Sequence, residues 1–263
     1  MTFQDNIGDR MKNNYENISK TKLMRRTPVA LRLDGKAFHS FTRGFKKPFD
    51  DALVETMQKT MKYLCENIQG CVFGYTQSDE ITLILIDYQT FETQAWFDYE
   101  VQKMCSISAS MATMIFNKFF FKAVSNWYWK DPLVTNLKLP SMENQKEIYD
   151  KAIDKGAMFD CRAFNIPKEE VANLVYWRQL DAIRNSIQMV GQANFPHKQL
   201  QGKTCENIKE MLISEKDINW NDYPIYLQRG SACQKGENGW EIDYNMPIIK
   251  EDRDYIEKLI YFN

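Results

Sequence analysis

The 263-residue sequence has only two histidines and six cysteines, and no two cysteines are spaced as C-x-x-C. A zinc cluster of the usual Cys/His spacing is therefore excluded. The thiols at 65, 71, 105, 161, 205 and 233 are expected to be reduced and mostly buried. No G-x-x-x-x-G-K-[ST] loop and no G-x-G-x-x-G fingerprint occurs, which removes two familiar phosphate cradles. No Ser/His/Asp nucleophile arrangement can be drawn. Long hydrophobic runs are missing as well, since the stretch Ile107 to Trp129 is broken by Asn117, Lys118, Lys122 and Asn126. A membrane span needs about 20 residues nearly free of such groups, so a buried helix is expected there. The first thirty residues carry Arg10, Lys12, Lys20, Lys22, Arg25 and Arg26 without an apolar core, so no secretory signal is expected and the expected location is cytoplasmic. Net charge is also scarce. The 34 Lys+Arg and 35 Asp+Glu leave −1, which at first sight speaks against a nucleic-acid partner.

What is present is a packed globule, with 44% hydrophobic and 13% aromatic residues. A chain this long buries about 70–75% of its unfolded surface and needs no covalent staple. The charge balance hides a split. Residues 10–47 hold eleven Lys+Arg against Glu16 and Asp34, a local +9 facing −10 in the remainder. Phe38, Phe41 and Phe45 are interleaved with these cations. They could stack a base beside neutralised phosphates, or simply belong to the core.

Hydrophobic periodicity predicts a strand over Val29–Leu33 ended by Asp34-Gly35, and a helix from Asp50 with Leu53, Val54, Met57, Met61, Leu64, Cys65 and Ile68 on one face. Asp50 or Asp51 can cap that helix and Gly70 stops it. Two strands, Cys71–Thr76 and Ile81–Ile86, flank the polar turn Gln77-Ser78-Asp79-Glu80. A long helix fills much of Ala95–Ala123. Residues 130–155, with Pro132 and Pro140, read as a connection or insertion. Met158–Ala163 reads as a strand and Lys168–Val190 as a helix. The tail from Asn207 mixes helical and loop-like segments, with Gly230, Gly236 and Gly239 as breakers. The order β–α–β–β–α opens a ferredoxin-like unit. The expected fold class is α+β, a ferredoxin-like (βαββαβ) core with helical and irregular additions. The expected division is a catalytic core over 1–165 and a helical or irregular portion over 166–263 packed on it as one unit.

In such a unit the first and third strands are central neighbours, so Asp34 and the hairpin turn carrying Asp79 can meet at one sheet edge. Two carboxylates there suit Mg²⁺, which takes one or two carboxylates and completes its octahedron with water and substrate phosphates. Two such ions clamp the attacking and leaving oxygens of a phosphoryl displacement. Gly35 lets its carbonyl and a phosphate come close. The bland alternative is a plain Asp-Gly turn and a solvated hairpin tip. For residues 171–190 the bland reading is an amphipathic helix with Arg178 and Asp181 paired at i, i+3.

Taken in order, several blocks resemble the tRNA-histidine guanylyltransferases and their relatives, the 3′-to-5′ RNA polymerases. They are Gly8-Asp9-Arg10-Met11-Lys12, Arg32-Leu33-Asp34-Gly35-Lys36-Ala37-Phe38-His39-Ser40-Phe41, Lys47-Pro48, Gly74-Tyr75-Thr76-Gln77-Ser78-Asp79-Glu80, Tyr176-Trp177-Arg178-Gln179 and Leu200-Gln201-Gly202. The resemblance implies a polymerase palm-type core with two Mg²⁺ held by Asp34, the Gly35 carbonyl and Asp79, and Glu80 as an accessory catalytic carboxylate. It implies a nucleotide site formed by Asp34, Gly35, Lys36, Ala37, Phe38, His39, Lys47, Ser78, Asp79 and, by counting from Trp96-Phe97, Lys103. Arg25, Arg26, Arg178, Arg184 and Asn185 are candidate RNA contacts. ATP and GTP or other NTPs are the implied substrates, tRNA the implied partner, and a homotetramer the implied assembly. One departure is informative. The eukaryotic His-Ile-Asn-Asn-Leu-Tyr-Asn block is here Ile183-Arg184-Asn185-Ser186-Ile187-Gln188-Met189. This resembles the guanylyltransferase-like branch, whose activity is templated repair of 5′-truncated tRNA. Addition of a single G at position −1 of histidine tRNA, a palm-type cyclase acting on free nucleotides, and an RNA-binding module with a degenerate palm are the alternatives.

Overall fold

Strand β1, Val29–Gly35, has Val29, Ala30, Leu31 and Leu33 fully buried, and a strand buried on both faces must lie inside a sheet. In the computed structural model, which describes residues 5–130 and 140–262 (side chains of 5–6, 127–130 and 140–143 excepted), β1 pairs antiparallel with strands on either side. These are β3, Glu80–Leu85, and β4, Phe159–Asn165. Strand β2, Cys71–Gln77, pairs with β3 and with β5, Ser231–Gly236, which in turn pairs with β6, Gly239–Asp243. The six-stranded order is β4-β1-β3-β2-β5-β6, all antiparallel. The fold is thus mixed α/β on an antiparallel sheet.

Alternation along the strands divides the core. Leu31, Leu33, Ile81 and Leu83 face helix α1, Asp51–Asn67, and helix α2, Val101–Lys130, where Met57, Met61, Phe116 and Phe120 are buried. The alternate positions Ala30, Ile84 and Phe73 meet Val171, Ala172 and Val175 of helix α4, Lys168–Asn194. Gly74 decides how closely α1 approaches, because a Cβ there would fall 2.5 Å from the Cys65 sulfur. Phe38, Phe41 and Phe45 are buried and pack with Phe116, Phe120 and Phe159, so they belong to the core.

Helix α1 starts where expected. The Asp50 side chain accepts from Leu53 N–H at 3.1 Å and Lys46 N–H at 3.0 Å, and the Tyr149 hydroxyl donates to it at 2.7 Å. The segment read as an insertion contains helix α3, Pro140–Lys155, and Pro132 lies outside the described residues. Its alternating charges, paired as Lys146–Asp150 and Glu147–Lys151, mask a periodic face bearing Ile148 and Ala152. The tail differs from its reading too. Besides helix α5, Cys205–Lys216, it supplies β5 and β6, so glycines taken as breakers stand at the start and turn of a hairpin. All six cysteines are free thiols. Among the described residues no helix is long and apolar enough to cross a membrane.

Candidate active site

Asp34 ends β1 in register with Glu80 of β3 and Asp160 of β4, and directly opposed residues share a sheet face. Three carboxylates therefore stand in one cross-strand row at this edge. The β2–β3 turn brings Asp79 to the same place, where Gly35 N–H donates to the Asp79 carbonyl at 3.1 Å. The Ser78 hydroxyl donates to Asp79 Oδ1 at 3.1 Å. Gly35 is obligatory, because a Cβ there would lie 2.2 Å from the Phe38 ring. Two non-glycine residues next to these groups, Ala37 (φ 54°) and Ser78 (φ 55°), sit in the left-handed region. Such conformations cost about 1–3 kcal/mol each and concentrate at functional sites.

Electrostatics at the edge favour an added cation. Burial raises the Asp79 carboxyl above the usual aspartate range and the nearby Asp34 charge adds to it. Burial raises Glu80 as well, opposed by the Arg178 guanidinium. Arg178, its side chain 11% exposed, reaches from α4 to Glu80 at 2.6 Å and to Asp181 at 2.7 Å. Asp181 also accepts from Arg184 at 2.5 Å and from Asn185 at 3.4 Å. Among the described residues no group of three or more His, Cys, Asp or Glu side chains forms a metal cage. Two carboxylates beside a backbone carbonyl, one of them raised by burial, fit a hard divalent cation that completes its shell with water and phosphate oxygens.

Beside this edge opens a cavity of about 500 Å³, walled by Gly35, Ala37, Phe38, His39, Lys47, Ser78 and Asp79. Its volume is within the range of small-ligand sites. Asp34 and Lys36 flank these residues in sequence without lining the cavity. Met189 and Gln192 of α4 line it too; Met189 closes the Ile183–Met189 block, and Gln192 lies past the predicted helix end at Val190, with no motif to mark it.

Two expected contacts are displaced. Lys103 lies on the first turn of α2, 3.8 Å from Glu100. The sheet edge carrying Asp34 and Asp79 is level with Thr113, whose hydroxyl accepts from Phe159 N–H at 3.1 Å, about 15 Å further along the helix. Lys103 follows Trp96-Phe97 at the expected spacing, but the helix start carries it away from that edge. Arg25 bonds Asp87 at 2.6 Å and Asp98 at 3.0 Å beyond the opposite end of the sheet, so its guanidinium is a structural clamp and not a free RNA contact. Arg26 is exposed there, over the Phe91 ring. Arg178 is committed to carboxylates, whereas Arg184 remains largely exposed and Asn185 is half-buried.

The sequence model of the family described as tRNAHis guanylyltransferase matches residues 8–167. A solved bacterial tRNA(His) guanylyltransferase (Thg1)-like protein in complex with ATP superposes with a TM-score of 0.82 and 43% identity, covering 97% of this chain and 100% of that one. A bacterial Thg1-like protein in complex with GTP gives a TM-score of 0.76 and 39% identity over 98% of this chain and 100% of that one. A probable tRNA(His) guanylyltransferase of Bos taurus is 26% identical over 241 residues, 86% of this chain and 71% of the relative.

Proposed function

Because the chain belongs to the tRNA(His) guanylyltransferase family of nucleotidyltransferases, we propose that it adds nucleotides to the 5′ end of tRNA in the 3′-to-5′ direction, reading the opposite strand as template. The observation that carries the proposal is the meeting of Asp34, Gly35 and Asp79 at the mouth of a cavity walled by Lys47 and His39. A polymerase palm, with β4-β1-β3-β2 as its ferredoxin-like part, is the fold reading that goes with it. Strands β5 and β6 extend the same sheet, which supports one structural unit across residue 165.

Asp34, the Gly35 carbonyl and Asp79 would hold two Mg²⁺, which when bound stabilise the charge developing on the phosphoryl oxygens. The protein's own residues orient the reactants. Lys47, and Lys36 next to the cavity, neutralise triphosphate; Ser78 holds Asp79 in place; Arg178 holds Glu80. A 5′-monophosphate end is activated by ATP or GTP with release of pyrophosphate. The 3′-hydroxyl of the incoming NTP then attacks the activated phosphate and expels the nucleoside monophosphate. The bacterial relatives hold ATP and GTP, which supports nucleoside triphosphates as substrates here. The loss of the His-Ile-Asn-Asn-Leu-Tyr-Asn block, replaced by Ile183–Met189, favours repair over a single added G. A cytoplasmic homotetramer completes the reading, and sedimentation of the purified protein tests the assembly.

The deciding experiment offers tRNAs shortened by one or two 5′ nucleotides to the enzyme with each NTP in Mg²⁺. Incorporation that follows the opposing base is the expected result. Untemplated G confined to histidine tRNA would replace the repair reading, and cyclic product without RNA would replace both. Asp79→Ala is expected to abolish incorporation.

A further inference from the structure

A second concavity, of about 360 Å³, lies on the far side of the short helix Phe38–Phe41 from the nucleotide cavity. Its floor is Phe41, Ile148 and Ala152, and its walls carry Arg43, Lys151, Lys155 and the Ser40 hydroxyl. The sequence explains this gathering. Ile148, Lys151, Ala152 and Lys155 recur at spacings of three and four, so they share one face of α3. The loop after the short helix seats against that face through Gly44 (φ +88°), where a Cβ would fall 2.9 Å from Ile148 Cδ1. Lys155 Nζ donates to Ser40 Oγ at 2.7 Å, which uses one of the three donors of an ammonium group. Lys151 pairs with Glu147 at 2.7 Å, both side chains exposed, and such a pair is held weakly enough for a phosphate to displace. Asp150 and Asp154, both exposed, are the other acids next to these cations in sequence, and Asp150 pairs with Lys146 at 2.6 Å.

The short helix is a partition. Phe38 and His39 line the nucleotide cavity, while Ser40 and Phe41 line the trough. The loop continues the alternation, with Thr42 on one side and Arg43 on the other. Cations strung along an open trough with an apolar floor suit a polyanionic strand with hydrophobic sugar and base surfaces, whereas a free phosphate calls for donors converging on one point. We infer that this trough is the track for the RNA phosphodiester backbone near its reacting end, with Arg43, Lys151 and Lys155 as its phosphate contacts. The inference rests on the tRNA reading above.

The test measures binding of a 3′-labelled, 5′-truncated tRNA by anisotropy across salt concentrations. The variant is Arg43→Gln/Lys151→Gln/Lys155→Gln, set beside a control of equal charge loss at exposed sites elsewhere, Lys198→Gln/Lys203→Gln/Lys250→Gln. The trough variant is expected to raise Kd at least tenfold and to flatten log Kd against log salt by about 2–3, at about 0.7–0.9 per phosphate contact. Its Tm and its affinity for GTP without RNA should match the wild type, and the control variant should bind RNA normally. Equal losses in both variants, or none in the trough variant, would overturn the inference. A parallel loss of GTP affinity would assign the trough to free nucleotide and overturn it too. If the triple variant fails to fold, Arg43→Gln alone carries the test, with a slope change of about 0.7–0.9. A wild type that binds RNA without incorporating nucleotides would sink the polymerase reading and leave this binding result standing.

Discussion

Burial raises the Asp79 carboxyl, and an acid raised on folding binds more protons in the folded chain than in the unfolded one. Its contribution therefore weakens as pH climbs through about 4 and on through the raised folded value. Asp79→Asn should accordingly raise the Tm of the metal-free protein at pH 7 while abolishing nucleotide incorporation. The Tm gain should vanish below about pH 4 in a pH series of thermal melts. Arg178 sits in the opposite position, as the cation on which two part-buried carboxylates depend. Arg178→Met should destabilise the fold by about 3 kcal/mol in urea titrations, and Glu80→Gln in the same chain should recover part of that loss. At this scale legibility follows chain distance. Asp34 and Asp79 stand in compact motifs, and the Arg178–Asp181 pair is one helical turn. Glu80–Arg178 and Arg25–Asp87 join residues that no local pattern connects, and the row with Asp160 exists only once β4 takes its register.

Strands and helices with strong periodicity could be read directly. The starts of β1, α1 and α4 and the Gln77–Glu80 turn follow from apolar spacing, caps and turn residues, while β1 and α4 run on past Leu33 and Val190 to Gly35 and Asn194. Asp50 shows why a cap can matter beyond its helix, since one buried carboxylate fixes α1, the Lys46 loop and Tyr149 together. Asp50→Ala should cost about 2 kcal/mol, more than the roughly 1 kcal/mol of an isolated cap, as read by chemical denaturation. Thr204→Ala removes half of the capping box of α5 and should cost about 1 kcal/mol. What periodicity missed has a physical cause. Helix α3 dilutes its apolar face with paired charges, and β5–β6 carry a weak alternation, with no buried residue in β6.

Across the whole molecule, near-neutral net charge coexists with a basic segment partly spent on internal pairs. Lys20 meets Glu16, Lys22 meets Asp98, and Arg25 meets Asp87 and Asp98. Lys36 and Lys47 by the nucleotide cavity, and Arg43 on the trough side, are exposed to solvent. RNA binding should thus weaken steeply between 50 and 200 mM salt, as a power law whose exponent counts few contacts per chain. The sheet has a different consequence for the order in which the chain is made. Strand β2, buried from Val72 to Thr76, takes one neighbour from β3 close by and the other from β5, more than 150 residues later. A ribosome must therefore deliver residues 231–236 before the open flank of β2 is closed. At about 5–20 residues per second, the nascent sheet presents a sticky border for roughly 8–30 seconds, the interval in which a chaperone has most to do.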